Sequence, residues 1–364
     1  MFIVISLVLI LMLGIFLFLK RPEFGKKPAG ERLKKVSQSP NYSKGSFQNL
    51  SPTPALAEGV SYPQVMKEFF TTKTKDKVPP KPLPSKKTDL HNLDPNKNVM
   101  VWFGHSSYFL QVDGKKILVD PVFSGNASPL PNTMKSFAGS DIYTTDDIPE
   151  IDYLFITHDH WDHLDHKTML GLKKKIKQIF TGLGVKDHLE HWGFTKTIIH
   201  ENDWNQVIEP DPGFTIITAP ARHFSGRTFK RNTSLWLSFI LITPTMKLYL
   251  GGDSGYDDHF AEIGKHYGPF NLAVLECGQY NKNWKYIHMM PEEVVQAVKD
   301  LKAEHAVIVH WAKFPLAQHA WNEPPSRATE EAERKAISLL TPMIGEALSL
   351  SEPSLNNTKW WLNI

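Results

Sequence analysis

The sequence predicts an α+β domain in which two sheets are covered by helices, preceded by a membrane-spanning helix and an extended linker. Strand-like apolar runs alternate with helical patterns over about 250 residues, a length that suits a layered domain. The first 19 residues lack charge, and the residues after them are rich in Pro and Lys. We therefore divide the chain into an anchor (1–19), a basic linker (20–95), the domain (96–350) and a C-terminal tail (351–364).

The charge distribution separates a basic leader from an acidic body. Residues 20–98 carry 16 Lys/Arg and 7 Asp/Glu, a net charge of +9, whereas residues 99–364 carry 25 Lys/Arg and 31 Asp/Glu, a net charge of −6. An acidic body excludes a basic nucleic-acid-binding domain, so no nucleic acid partner is expected. Cys277 is the single cysteine in the chain and excludes a disulfide framework or a Cys-x-x-Cys metal motif.

The segment Met1–Leu19 contains no charged side chain. As a helix it would reach about 28 Å, close to the thickness of the hydrocarbon core of a membrane. The alternative is a cleaved signal peptide, but no basic residue precedes the run and no A-x-A-like site follows it. Lys20, Arg21, Lys26 and Lys27 all lie after the run, so the positive-inside rule predicts a single-pass anchor with the domain on the cytoplasmic side.

The following segment reads as a linker. Residues 22–98 hold 11 of the 26 prolines, and a residue before proline is disfavoured in a helix. The composition predicts a largely extended chain with one short helix at Tyr62–Phe70. Its lysines serve either solubility or attraction to an anionic lipid surface, and both interpretations stay open.

The domain begins with strands and continues with mixed elements. Val99–Phe103 is apolar, and Tyr108–Val112 and Lys116–Val119 form a hairpin through Asp113-Gly114. The run Ile151–Thr157 predicts a buried strand. Further strands are predicted at Thr215–Thr218, Leu235–Thr243, Lys247–Leu250, Leu272–Leu275 and Ala306–His310, and helices at Lys167–Lys177, Val185–Trp192, Pro291–Leu301 and Thr329–Leu340. This mixture predicts the two sheets covered by helices.

The segment Thr157–His163 reads Thr-His-Asp-His-Trp-Asp-His and follows a predicted strand directly. His158 and His160 alternate as on an extended turn and can point into one metal site, while Asp162 and His163 can point into a neighbouring one. Imidazole and carboxylate are ligands of Zn²⁺, and Mn²⁺ or Fe is also possible. So many polar groups at a sheet edge would be costly without a function, so a metal site is favoured over a surface loop.

The His-x-His-x-Asp-His pattern resembles the defining motif of the metallo-β-lactamase superfamily. This resemblance implies a four-layer αβ/βα sandwich and a centre with two Zn²⁺ ions. It also implies three later ligands at strand ends, which His223, Asp253 and His310 match. The implied assignment places His158, His160 and His223 on one metal, Asp162, His163 and His310 on the second, and Asp253 between both.

Other segments resemble the branch that contains N-acyl-phosphatidylethanolamine-hydrolysing phospholipase D and its bacterial relatives. They are Trp102–Ser107, Leu118–Phe123, Glu201–Trp204, Ile287–Glu293 and the residues after His310. The resemblance implies a phosphodiesterase that hydrolyses a membrane glycerophospholipid, such as an N-acylphosphatidylethanolamine, through a metal-bridging hydroxide. Asp162 is then expected to accept a proton from the attacking water. His288 is expected to bind the phosphoryl group or to protonate the leaving alkoxide.

Several alternatives stay open at the level of the sequence. His288 precedes a predicted helix and could have only a structural role, and Arg222 could meet a phosphate or form a surface salt bridge. The ascorbate-6-phosphate lactonase-like branch shares much of the metal motif, so a lactonase or another metal-dependent ester hydrolase is the alternative function. A non-enzymatic metal-binding module is disfavoured because the ligand set is complete. The sequence leaves the oligomeric state open.

Overall fold

Two mixed sheets of seven strands form the centre of the fold. The computed structural model describes residues 2–352 and 358–364, so Met1 of the predicted anchor and residues 353–357 of the predicted tail lie outside the described residues. The strands are β1 (Tyr42–Ser43), β2 (Ser46–Phe47), β3 (Val99–Trp102), β4 (Tyr108–Val112), β5 (Lys115–Val119), β6 (Ile151–Ile156), β7 (Ile176–Gly182), β8 (Ile199–Asn202), β9 (Val207–Asp211), β10 (Phe214–Ala219), β11 (Ser238–Ile242), β12 (Lys247–Leu250), β13 (Phe270–Glu276), β14 (Ala303–Val309), β15 (Leu339–Leu340) and β16 (Ala347–Ser349).

Each sheet has an antiparallel half and a parallel half. The first sheet has the order β16-β3-β4-β5-β6-β7-β8, and its strands are parallel from β5 to β8. The second sheet has the order β15-β14-β13-β12-β11-β10-β9 and is parallel from β12 to β15. Strands β1 and β2 form a separate small hairpin. The parallel halves place several strand ends at one edge of each sheet.

The described part of the chain contains eight α-helices, and the last five of them contribute buried residues to the cores on the two sheets. The eight helices are α1 (Phe2–Leu19), α2 (Glu31–Val36), α3 (Tyr62–Thr71), α4 (His166–Leu172), α5 (Lys186–His191), α6 (His259–His266), α7 (Pro291–Asp300) and α8 (Glu323–Arg334). Trp102 of the first sheet and Phe239 of the second share a core between the sheets, whereas Val101 shares a second core with Met169 and Leu189 of α4 and α5. Because neighbouring residues of a strand face opposite sides, one sheet fills both cores. This arrangement confirms the predicted four layers.

Helix α1 is the one helix in the described part of the chain that is long and apolar enough to cross a membrane. Its mean hydropathy is 3.2 and none of its residues is buried. A signal sequence near an N-terminus has the same properties, so α1 is a candidate membrane helix.

The structure differs from the predicted linker, because residues 22–90 pack on the domain at several points. Phe24, Val36 and Phe47 are buried. Arg32 forms salt bridges with Asp187 and Glu201 at 2.7 Å each. These contacts come from isolated residues far apart in the sequence, so no periodic pattern of apolar residues predicts them. The short helix predicted in this segment is confirmed as α3.

Two helix predictions were wrong in their bounds. The pattern at Lys167–Lys177 divides into α4, which ends at Leu172, and the strand β7, which pairs with β6. Helix α8 begins at Glu323, before the predicted start, because Pro324 and Pro325 occupy its first turn, where a missing N–H is tolerated. The residues Leu339–Leu340 pair with β14 as a strand and do not extend the helix.

Candidate metal centre

The seven predicted metal ligands lie at one edge of the two sheets. His158 follows β6 in the first sheet. In the second sheet, His223 follows β10, Asp253 follows β12 and His310 follows β14. Strands β10, β12 and β14 run in the same direction, so their carboxyl ends share an edge. The topology therefore brings residues separated by up to 152 positions into one cluster.

The cluster contains two main groups of potential ligand atoms, each within 4.8 Å of one another, and a third set of such atoms, from Asp253, His288 and His310, overlaps both groups. The first group consists of His158, His160, His223 and Asp253. The second group consists of Asp162, His163 and His310, together with His105. In the first group, Nδ1 of His160 lies 2.9 Å from Nε2 of His158 and 3.2 Å from Nε2 of His223. The grouping matches the division implied by the sequence resemblance and adds His105.

Asp253 lies between the two groups. Its Oδ2 is 3.9 Å from Nε2 of His158 and 3.6 Å from Nε2 of His223. Its Oδ1 is 3.2 Å from Nε2 of His163 and 3.1 Å from Nδ1 of His310. One carboxylate oxygen thus faces each group, which is the geometry required of a bridging ligand.

The pKa shifts of the histidines in the cluster favour the binding of a metal cation. Burial lowers the pKa of His158, His223 and His310 well below the ordinary value, which favours the neutral imidazole that a metal needs. Burial also opposes charge on His163, but nearby carboxylates, Asp253 foremost, outweigh it and raise the pKa of His163 well above its ordinary value. The negative potential that raises the pKa of His163 also favours a divalent cation, and binding of such a cation would displace the proton from the imidazole.

The buried atoms of the cluster also fit a pair of metal ions. Within the described residues, the buried Nε2 of His163 and Oδ1 of Asp253 lie 3.2 Å apart but make no hydrogen bond. Buried polar atoms without a hydrogen bond are costly unless a ligand satisfies them. Imidazole nitrogens and carboxylate oxygens are the donors that Zn²⁺ prefers. The residues present therefore fit the metal pair that the motif implies.

Residues outside the cluster hold the ligands in place. Oδ2 of Asp120 lies 2.8 Å from Nδ1 of His163, and Nδ1 of His223 lies 2.8 Å from the carbonyl oxygen of Ile287. Asn49, from the segment predicted as a linker, donates to the backbone carbonyl of His223 and accepts from its N–H. Such partners fix the orientation of the rings of the predicted ligands.

His105 is a site residue whose role the sequence did not reveal. Its ring is fully buried, its Nε2 lies 2.8 Å from Oδ2 of Asp162, and its ring centroid lies 4.1 Å from that of His310. His105 and His310 both adopt a left-handed backbone, with φ of 52° and 71°. This conformation is uncommon for residues other than glycine and concentrates at functional sites. The one feature of the sequence that pointed to His105 was its place in Trp102–Ser107, a segment that resembles the phospholipase D branch.

His288 lines the same cavity, of about 220 Å³, as His160, His223 and Asp253. Its Nδ1 is 3.5 Å from Oε1 of Glu276, a buried carboxylate that also accepts the N–H of Met289. Burial raises the pKa of Glu276 to about 7. The structure thus places His288 beside the predicted ligands and adds Glu276 as its neighbour.

Arg222 does not face the cluster. Its guanidinium donates to the carbonyl oxygens of Pro52 and Tyr256 and to the hydroxyl of Thr53. It also lies 3.7 Å from a carboxylate oxygen of Asp257. Arg222 therefore holds residues 52–53 against the domain, and the salt bridge considered for it forms with Asp257.

The fold and the site can be compared with known proteins. A family model described as the beta-lactamase superfamily domain matches residues 115–311, more than half of the chain. An uncharacterized protein of Mycobacterium tuberculosis is 36% identical over 328 residues, which are 89% of this chain and 88% of that protein. The N-acyl-phosphatidylethanolamine-hydrolyzing phospholipase D 1 of Caenorhabditis elegans is 29% identical over 274 residues, which are 69% of this chain and 75% of that protein.

A solved structure supports the same fold. A metallo hydrolase of the archaeon Ignicoccus hospitalis superimposes with a TM-score of 0.55, covering 70% of this chain and 98% of its own. Its 22% identity makes this a likeness of fold alone. The family match and the relatives are decisive for the identity: the chain belongs to the beta-lactamase superfamily domain family and is a metal-dependent hydrolase of the metallo-β-lactamase superfamily.

Proposed function

We propose that the chain is a zinc-dependent phosphodiesterase of the phospholipase D type that hydrolyses a membrane glycerophospholipid, such as an N-acylphosphatidylethanolamine. The observation that carries this proposal is Asp253, with one oxygen facing each of two His-rich groups. The relative from C. elegans, named for hydrolysis of this lipid, supports the substrate class.

The proposed metal site consists of the seven clustered side chains. His158, His160 and His223 would hold one ion, Asp162, His163 and His310 would hold the other, and Asp253 would bridge them. The ligand chemistry favours Zn²⁺, with Mn²⁺ or Fe as alternatives. A bound metal pair supplies Lewis acidity and activates water for attack on phosphorus.

The residues around the ligands have distinct proposed tasks. His105 contacts Oδ2 of Asp162, which leaves Oδ1 to accept a proton from the attacking water. Glu276 faces Nδ1 of His288, so Nε2 of His288 is the atom that would bind the phosphoryl group or protonate the leaving alkoxide. The low exposure of these residues excludes bulk water and strengthens their electrostatic effect on the developing charge.

We also propose that α1 is a retained single-pass anchor with the catalytic domain on the cytoplasmic side. Its length and apolar composition support a membrane span, and the basic residues Lys20, Arg21, Lys26 and Lys27 all follow it. An anchor of this kind keeps the domain next to a phospholipid substrate and favours that substrate over a soluble lactone.

A hydrolysis screen with the purified, zinc-loaded full chain in detergent tests the proposed function. The substrates are N-acylphosphatidylethanolamine, phosphatidylcholine, a chromogenic phosphodiester and a set of lactones. We expect phosphatidic acid and an N-acylethanolamine as products from the first. Asp253→Asn should abolish this activity, and Asp258→Asn, which changes an exposed carboxylate five residues later, should preserve it. Hydrolysis of lactones alone would contradict the proposal.

A further inference from the structure

The end of the apolar helix contacts the loop that carries the metal motif. The Phe18 ring, in the last turn of α1, lies 5.1 Å from the Phe24 ring, which lies 5.1 Å from the Trp161 ring. Trp161 stands between the proposed ligands His160 and Asp162. Successive aromatic contacts therefore connect the end of α1 to the loop of the proposed metal site. Aromatic rings, Trp above all, favour the membrane–water interface.

Arg227 ties the segment after the helix to this loop. Its buried guanidinium donates to the carbonyl oxygen of Glu23 at 2.8 and 3.0 Å and to those of Asp159 and Leu164 at 2.8 and 2.7 Å. It also lies 3.9 Å from the ring centroid of Trp161. One side chain thus connects the juxtamembrane segment to both ends of the metal loop.

Two further side chains attach the same segment. Nε1 of Trp192 donates to the carbonyl oxygen of Pro22 at 2.7 Å, and Nδ1 of His188 accepts the N–H of Lys26 at 3.0 Å. Nε2 of the same imidazole lies 3.2 Å from Oδ2 of Asp159. Residues 22–26 are therefore fixed to the domain and do not act as a free tether. Their attachment determines which face of the domain meets the membrane.

The loop around Arg227 exposes a large apolar side chain on that face. Phe229 is 88% exposed and is followed by Lys230 and Arg231. The same loop contributes Phe224 to the lining of the metal cavity. A single exposed Phe is not unusual by itself. Here Phe229 lies two residues after Arg227, which binds the segment that follows α1, and it is followed by two cationic side chains. This composition is typical of segments at a membrane interface.

A second loop exposes an apolar residue near the same segment. Pro129 and Pro131 line a cavity of about 510 Å³ together with Arg21 and Glu23, and Leu130 between the two prolines is half exposed. The face around the end of α1 thus carries apolar residues on two loops.

We propose that the loops 224–231 and 128–132 form a membrane-docking surface that seats the metal cavity on an anionic phospholipid bilayer. The surface is continuous with the end of α1, and Lys20, Lys230 and Arg231 give it a positive charge that complements the leaflet, whereas Arg21 pairs with Glu23. The inference rests on the proposed function in taking a membrane lipid as the substrate. The lipid would then reach the cavity beside Phe224 without leaving the bilayer.

The test measures contact of position 229 with lipid in the full-length protein. Phe229→Cys is labelled with an environment-sensitive fluorophore, and the native Cys277 does not react because it is fully buried. The chain is reconstituted into vesicles of phosphatidylethanolamine and phosphatidylglycerol with a nitroxide on the acyl chains. Glu150→Cys is the matched control, because Glu150 is exposed just before β6, at the sheet edge opposite the site.

We expect the nitroxide to quench emission from position 229 severalfold more than emission from position 150. Adding Lys230→Glu should weaken the quenching at position 229. Equal, weak quenching at both positions would overturn the proposal. The proposal would also be overturned if the fluorophore at position 229 were protected from the nitroxide and position 229 cross-linked two chains. The loop would then be a protein interface. Quenching without hydrolysis of any phospholipid would refute the proposed function alone, and hydrolysis without quenching would refute the docking surface alone.

Discussion

Replacing Asp120 by Asn changes one atom of the buried carboxylate that orients His163. Oδ1 of Asp120 accepts the backbone N–H of Thr157 at 2.9 Å. Oδ2 accepts the Thr157 hydroxyl at 2.6 Å and lies 2.8 Å from Nδ1 of His163. An ionised carboxylate can only accept hydrogen bonds, so Nδ1 carries the ring proton of a neutral His163. The lone pair of Nε2 is then free to bind a metal.

The Asn side chain cannot satisfy both partners, because it has a single acceptor oxygen. In one orientation its NH₂ group faces His163 and moves the ring proton to Nε2, the atom that would bind the metal. In the other orientation the NH₂ group faces the N–H of Thr157. Either outcome leaves a buried polar group unpaired at a cost of about 1–3 kcal/mol. We therefore expect metal affinity to fall by about 10- to 100-fold, the usual effect of losing such a partner.

Competition with a chromophoric chelator measures this affinity in the full chain in detergent. Excess Zn²⁺ should restore metal content and hydrolysis, since the ligands remain in place. Asp152→Asn is the matched control, because Asp152 lies near the start of the same strand, β6, at the opposite edge. Unchanged affinity in Asp120→Asn would refute the tautomer argument, and circular dichroism identifies any variant that has lost its fold.

Three further predictions concern the ligands, the proton donor and the packed leader. Asp253→Ala should lower metal content below the two ions per chain expected of a dinuclear site and abolish hydrolysis, as elemental analysis and product assays would show. His288→Ala should keep the metal content and lower turnover by about 10²–10⁴-fold if His288 is a general acid. Arg32→Met should destabilise the fold by about 3 kcal/mol in denaturant unfolding, because it removes the cation that pairs with the buried carboxylates of Asp187 and Glu201.

Each of these variants has a control in the same chain. Asp258→Ala should bind metal normally, and His266→Ala, which removes an exposed imidazole outside the cluster, should turn over normally. Lys34→Met breaks an exposed ion pair with Glu31 and should change stability by less than about 1 kcal/mol. Metal loss in His288→Ala would make this residue a structural or liganding group, and unchanged unfolding of Arg32→Met would mean that the leader does not pack as described.

The sequence alone was sufficient for the fold class and for selecting residues that the structure brings together in one cluster. Buried strands show as apolar runs, and the polar segment His158–His163 directly after one of them marks a metal site because such groups are costly at a sheet edge without a partner. The later predicted ligands His223, Asp253 and His310 were selected by resemblance to a family and by their places at strand ends. The apolar runs and the motif residues are both local features, because each can be recognised from its immediate neighbours in the sequence.

Only the tertiary structure determined which distant groups meet. The pairing of His105 with Asp162, the reciprocal hydrogen bonds of Asn49 with His223 and the contacts of Arg227 join residues separated by 57 to 204 positions. The predicted linker packs for the same reason, since isolated residues such as Phe24 find partners across the fold. Such contacts depend on the order and direction of strands in two sheets, which apolar periodicity does not encode because it records only which face of each element is buried.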